Sequence, residues 1–147
     1  MIEFIVLGTP KPRGSKFAVR GKRNGKDCAL IVDDCRQSGA WMKQIAEVAR
    51  AAYDGPLIQG PIEASFQFYI ARPKVNFGTG RNRGSLKSSA PYYHQTRPDL
   101  AKLIRCAEDA LTGILWKDDG QICRYADCGR HWTMEDESMV VAVRELT

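Results

Sequence analysis

The sequence predicts an α+β fold in which two main helices pack on a mixed β-sheet of about four strands. Three observations lead to this prediction. Two segments repeat apolar residues at helical spacing, four others carry alternating or β-branched apolar residues, and no internal repeat or interdomain linker divides the chain. A length of 147 residues suits a single hydrophobic core, so we treat residues 1–147 as one domain.

The first half of the chain predicts one strand and one helix. IEFIVLG is a β-branched run that Gly8 stops, which is typical of a strand. The basic residues of TPKPRGSKFAVRGKRNGKD lie among prolines and glycines, which favours a loop or a loose hairpin. From Ser38 to Tyr53, Trp41 and Ile45 belong to a series of apolar residues at helical spacing, which indicates an amphipathic helix.

The second half predicts three strands, a long loop and a second helix. PIEASFQFYI alternates apolar and polar residues as a half-buried strand does, and ICRYADCGRHW and SMVVAVREL supply the last two strands. ARPKVNFGTGRNRGSLKSSAPYYHQT is irregular, and its mixture of basic and aromatic residues suits phosphates and bases. Apolar residues then share one face of a helix from about Asp99 to Thr112, with Gly113 as its C-terminal stop.

The composition argues against a membrane protein and favours a cytoplasmic one. The chain is 44% hydrophobic and 27% charged, which is ordinary for a globular protein. No apolar run approaches the length of about 20 residues that a membrane span needs. The start MIEFIVLG lacks the basic segment of a signal peptide.

The five cysteines are odd in number and irregular in spacing, which favours free thiols in a reducing compartment. The alternative is a zinc site drawn from Cys123, Cys128 and His131 with Cys28 or Cys35. No C-x-x-C pair supports that alternative.

Positive charge is concentrated in two blocks. Residues 1–26 hold seven Lys or Arg against one acid, and residues 72–105 hold eight against one. The intervening and final segments are acidic, although the whole chain carries +5. Two basic blocks that the fold brings together would suit a polyanion, with nucleic acid first, while the alternative is a solvated surface that maintains solubility.

Carboxylates stand at both ends of the second predicted helix. Asp99 begins it, and Asp118 and Asp119 precede a glycine in the turn that follows. Each has a structural explanation, as a helix cap or as turn chemistry. Together they suit Mg²⁺, but a helix of about 14 residues is about 20 Å long, so only the following strand or a second subunit could bring them together.

The block RPDLAKLIRCAEDALTGILWKDDGQI resembles the core motif of RusA-type Holliday junction resolvases. That motif is approximately D-L-D-N/K-L, a helix ending D-A-L, then W-x-D-D-x-Q-V/I. GTPKPRGSK, RPKVNFGTGRNRGSLKSSAPYYHQTRPDL and RHW are similar to the phage-type branch. The resemblance implies a homodimeric crossover junction endodeoxyribonuclease of DNA recombination and repair. It would use Mg²⁺, with Mn²⁺ as a substitute, to resolve four-way DNA junctions by paired nicks.

The resemblance also implies site residues. Asp99 and Asp119 would bind the metal, Asp118 would be a neighbouring catalytic carboxylate, and Arg105 would stabilise charge on the phosphate or transition state. Arginine keeps its proton, which excludes Arg105 from proton transfer. Ala101 stands where the family has an aspartate, so this chain should cleave poorly. Either a natural member has lost cleavage or an aspartate was changed to trap a DNA complex, and the intact surroundings favour the second explanation.

The basic segments predict the phosphate contacts, which are Lys11, Arg13, Lys16, Arg81, Arg83 and Lys102. The alternative to a nuclease is a non-catalytic DNA-binding or junction-binding protein that uses the same basic surface.

Overall fold

The computed structural model describes residues 1–14, 16–33 and 37–147, and of residues 16, 17 and 31–33 it describes the backbone alone. The strands are β1 (Ile2–Leu7), β2 (Lys16–Arg23), β3 (Lys26–Asp33), β4 (Ile62–Ala71), β5 (Ile122–Thr133) and β6 (Ser138–Glu145). The helices are α1 (Ser38–Ala52) and α2 (Leu100–Leu111). The predicted α+β class, with two helices and a mixed four-stranded sheet, is confirmed.

The four-stranded sheet has the order β1-β6-β4-β5. Strand β6 is antiparallel to both of its neighbours, while β5 runs parallel to β4. Alternate residues of the central strands are buried on one face, namely Ile62, Ala64, Phe66 and Phe68 of β4 and Met139, Val141 and Val143 of β6. This period of two directs one apolar face of the sheet toward the helices.

Both helices pack their apolar stripes into this core and contact each other. Trp41 and Ile45 of α1 are buried, as are Leu103 and Leu111 of α2. Gly113 lies just beyond α2 with a φ of 81°, a left-handed conformation that favours glycine, so the predicted helix stop is confirmed. No helix within the described ranges is both long and apolar enough to cross a membrane.

The basic segment after β1 is more regular than the sequence suggested. Strands β2 and β3 form an antiparallel hairpin that continues to Asp33 and makes a sheet of its own. Its turn is Asn24–Gly25, with φ values of 52° and 76°. Asn-Gly is the strongest short-range hairpin signal, because both turn residues adopt positive φ. The segment after β4, by contrast, is irregular as predicted. It contains short 3₁₀ turns at Lys74–Asn76 and Gly80–Asn82 and an isolated antiparallel β-bridge between Phe77 and Leu86.

Candidate active site

Asp119 is held in one orientation at the C-terminal end of α2. Its Oδ1 accepts a hydrogen bond of 3.2 Å from Trp116 Nε1 and another from the hydroxyl of Thr112. Trp116 is fully buried and Thr112 caps the helix, so the core fixes both donors. The side chain of Asp119 is nevertheless exposed. A carboxylate that fixed donors hold in one orientation, and that is also exposed to solvent, is suited to be a metal ligand.

Asp118 has a structural role in the turn. Its Oδ1 accepts a hydrogen bond of 2.7 Å from Gly120 N. The side-chain oxygen of Gln121 accepts in return from Asp118 N at 3.0 Å, which completes a capping box at the start of a short 3₁₀ turn. The amide of Gln121 donates to the carbonyls of Ile58 and Gly60, and this ties the turn to the chain before β4.

Glu108 lies beside Asp119 and was not among the residues singled out from sequence. Its carboxylate accepts a hydrogen bond from the hydroxyl of Tyr125 on β5. Burial raises the pKa of Glu108. The hydrogen bond from Tyr125 lowers this pKa, while the negative charges of Asp119 and Asp109 raise it further. Burial and the same carboxylate raise the pKa of Tyr125. The C-terminal end of α2 is therefore an acidic site.

Asp99 caps the opposite end of α2 through its backbone. Its carbonyl accepts from Leu103 N at 3.1 Å, while its side chain makes no cap hydrogen bond and is exposed. Asp99 lines a cleft of about 350 Å³ with the cationic residues Arg13, Arg97 and Lys102. The cleft at the N-terminal end of α2 is therefore lined by Asp99 and three cations, of which Arg13 is also paired with Asp109, and the net positive charge suits a phosphate.

Arg130 of β5 fixes the chain that enters this end of α2. Its guanidinium donates to Pro98 O at 2.5 Å and also to the carbonyl of Thr96. Both carbonyls belong to the three residues before Asp99. Arg130 therefore positions Asp99, although sequence reasoning did not identify it, because it lies 31 positions away.

The predicted phosphate contacts are spread over the surface. Arg13 N donates to Lys102 O at 2.9 Å, and its Nε lies 3.1 Å from Asp109 Oδ2, so Arg13 also anchors the N-terminal loop to α2. Lys11 lines a separate cleft of about 320 Å³ beside α1. Arg81 and Arg83 are exposed in the long loop, and the side chain of Lys16 lies outside the described part of the chain.

One exposed stripe of α2 joins its two ends. The stripe consists of Ala101, Arg105, Glu108 and Thr112, of which the first two are exposed and the last two half-buried. These residues are four, three and four positions apart, so they share one face of the helix. Ala101, where the motif predicts an aspartate, and the predicted basic residue Arg105 thus lie on the same face as Thr112, which holds Asp119.

Asp99 and Asp119 do not meet within one chain. They lie at opposite ends of α2, whose 12 residues span about 18 Å. Within the described ranges, the single chain contains no cluster of three or more His, Cys, Asp or Glu side chains that could hold a metal ion. Cys28, Cys123 and Cys128 are free thiols, and Cys35 lies outside the described residues.

Comparison with known proteins agrees with the motif in α2. The sequence model described as Endodeoxyribonuclease RusA matches residues 8–144, which include both ends of the helix. The uncharacterized protein YqaN of Bacillus subtilis (strain 168) is 27% identical over 125 residues, which are 82% of this chain and 81% of that protein. Because the family match covers nearly the whole sequence, the chain belongs to the RusA endodeoxyribonuclease family.

Proposed function

We propose that residues 1–147 form a single RusA-like domain that, with Mg²⁺, resolves four-way DNA junctions by paired nicks, and that Ala101 impairs this activity. Family membership implies a Holliday junction endonuclease that binds junction DNA. RusA nucleases generally depend on a divalent metal. The observation that carries the proposal is the exposed Asp119 carboxylate, held by Thr112 and Trp116 on the same helix face as Ala101.

The distance between the two ends of α2 favours a site built from two chains. Two α2 helices that pack antiparallel along the exposed stripe, about a twofold axis, place Arg105 opposite Glu108 of the partner subunit. The same arrangement places Ala101 opposite the partner subunit's Thr112. The charges along the stripe are then complementary, as a self-complementary interface requires. Asp99 of one chain thereby approaches Asp119 of the other.

Such a homodimer contains two equivalent sites, which suits a pair of symmetric nicks. In each site Asp99 and Asp119 would hold Mg²⁺, because hard carboxylate oxygens are the ligands this ion prefers. The bound ion would supply an activated water and stabilise charge on the phosphate. Arg105, one helical turn from Ala101, supports the same phosphate with its cation. Asp118 would be the neighbouring catalytic carboxylate, and its hydrogen bond to Gly120 N keeps the adjacent turn in place.

Ala101 leaves the ligand set one carboxylate short. Position 101 is exposed on the first turn of α2, two residues after Asp99. Loss of a group that merely supports a metal ligand costs about 10- to 100-fold in metal affinity or activity, and loss of a ligand should cost at least as much. The chain as it stands should therefore bind junctions and cleave them slowly.

The test compares the parent chain with Ala101→Asp on a synthetic four-way junction in Mg²⁺ and in Mn²⁺. We expect the variant to nick at least about 10-fold faster than the parent. Ala101→Asn is the matched control, because it adds nearly the same volume without the charge. If Ala101→Asp binds the junction but produces no nicks at any metal concentration, the chain is a non-catalytic DNA-binding protein instead.

A further inference from the structure

The segment of residues 91–98, which leads into α2, is clamped against the sheet. Arg72, directly after β4, donates from Nη1 to Pro91 O at 2.8 Å. The ring of His94 is buried and stacks on Trp132 of β5 with centroids 4.0 Å apart. The Arg130 hydrogen bonds described above hold the last residues before Asp99. The backbone of this segment is therefore fixed at both ends and near its middle.

Two aromatic rings project from the clamped segment into solvent. Tyr92 and Tyr93 lie between the anchored Pro91 and the buried His94, and they are 81% and 76% exposed. Their ring centroids are 4.9 Å apart, and the planes meet edge to face at 85°. Exposed apolar area of this size is unfavourable in water. Because both neighbours are fixed, the two rings stay on the surface.

The charge around this aromatic pair indicates what would cover it. Residues 72–98 contain six Lys or Arg and no Asp or Glu. Arg81, Arg83 and Arg97 are among those exposed. A partner that is strongly anionic and also presents flat apolar faces fits such a surface. Nucleic acid combines phosphates with the faces of bases, and a base can stack on a tyrosine ring.

We propose that Tyr92 and Tyr93 form a platform on which bases at the branch point of a DNA junction stack. The proposal rests on the junction binding proposed above and extends it to structural selectivity. In the interior of a duplex each base is covered on both faces by its neighbours. Where four arms meet, terminal base pairs lose a neighbour when the arms separate, and their faces become accessible. The platform therefore favours branched DNA over continuous duplex.

The test measures binding of the full-length chain without divalent metal, so that cleavage does not interfere. The probes are a four-way junction with 2-aminopurine beside the branch point and a duplex with the same sequence. We expect replacement of both tyrosines by Leu to weaken junction binding roughly 5- to 150-fold, the range that corresponds to stacking on one base. Duplex binding should change by less than about twofold, because the bases between the ends of a duplex have no open face. Fluorescence quenching of 2-aminopurine on binding should be lost.

Two controls separate stacking from general effects. Replacement of both tyrosines by Phe keeps the rings and should keep affinity and quenching. Val75→Ala removes another exposed apolar side chain, which is 70% exposed in the same long loop, and should leave both unchanged. Thermal melting of each variant checks folding, which substitution of exposed rings should not disturb.

The possible results are distinguishable. Equal losses on junction and duplex, or no loss on either, would overturn the platform while leaving junction binding intact. A change in self-association by analytical ultracentrifugation, with unchanged DNA affinity, would assign the tyrosines to a contact between two copies of the chain. If the parent chain binds neither DNA, the platform and the proposed function both fail.

Discussion

The two-chain site predicts that two inactive variants restore activity to each other. In an Ala101→Asp background, Asp99→Asn and Asp119→Asn each remove one of the proposed metal ligands. In a homodimer of either variant both sites are defective, and nicking should fall by at least about 10- to 100-fold. A mixed dimer differs, because one of its sites contains both substitutions and the other contains neither. The intact site should then nick DNA.

The size of the restored activity follows from the symmetry. When equal amounts of the two variants exchange freely, about half of the dimers are mixed, and each has one intact site of two. Nicking should therefore return to about a quarter of the rate of the unmodified Ala101→Asp protein. Since one site cuts one strand, the products should be nicked junctions and not resolved duplexes.

The assay uses a junction labelled on one strand, with denaturing gels for nicks and native gels for resolution. Chains with different affinity tags establish that exchange occurred, and a mixture of differently tagged Asp99→Asn chains is the matched control. If exchange is complete and the mixture is no more active than either variant, Asp99 of one chain and Asp119 of the other do not form a shared site. The antiparallel arrangement of α2 helices would then be wrong.

Three further predictions concern side chains around the site. In the Ala101→Asp protein, Thr112→Val should raise the Mg²⁺ concentration needed for half-maximal nicking about 10- to 100-fold, because Asp119 loses a hydrogen-bond donor. Thr112→Ser keeps the hydroxyl and should leave that concentration unchanged. Burial, and after it the positive charge of Arg130, lowers the pKa of His94 from its usual 6.5. The unfolded chain therefore binds a proton at this histidine more readily than the folded chain does. The free energy of unfolding should fall as the pH drops below 6.5. His94→Phe keeps a ring that can stack on Trp132 but cannot bind a proton, so it should remove the share of this decrease that His94 contributes. Urea unfolding at a series of pH values measures the free energy of unfolding of both proteins. Lys102→Ala should weaken junction binding and reduce the salt slope, measured by fluorescence anisotropy, by about one unit.

The architecture was largely predictable because its signals are local. Phe66 and Phe68 alternate with polar residues along β4, and the α2 face that carries Leu103 is apolar at helical spacing. The β2–β3 hairpin was predicted less well, although the dipeptide Asn24–Gly25 at its turn is a strong hairpin signal. The surrounding prolines, glycines and charges indicated irregular structure, and the pairing of the two strands is a property of the folded chain.

The site was predictable only in part because its support is non-local. Motif and spacing identified Asp99 and Asp119 at the ends of one helix. They gave no indication that Tyr125 reaches Glu108 across 17 positions, or that Arg130 holds the residues before Asp99. Those contacts depend on where β5 lies relative to α2. The sequence also left open whether the following strand or a second subunit brings Asp99 and Asp119 together. In the described chain the two aspartates lie at opposite ends of α2.

Ala101 allows folding and chemistry to be examined separately. It is exposed at the second position of α2, where an added carboxylate gains about 0.3–1 kcal/mol from the helix dipole and loses up to about 0.7 kcal/mol in helix propensity relative to alanine. Ala101→Asp should therefore melt close to the parent in the absence of metal. If the added carboxylate completes a metal site, Mg²⁺ should raise the melting temperature of the variant more than that of the parent, since a ligand stabilises the state that binds it. Equal shifts for the two proteins would mean that position 101 does not contribute to metal binding, whatever happens to the nicking rate.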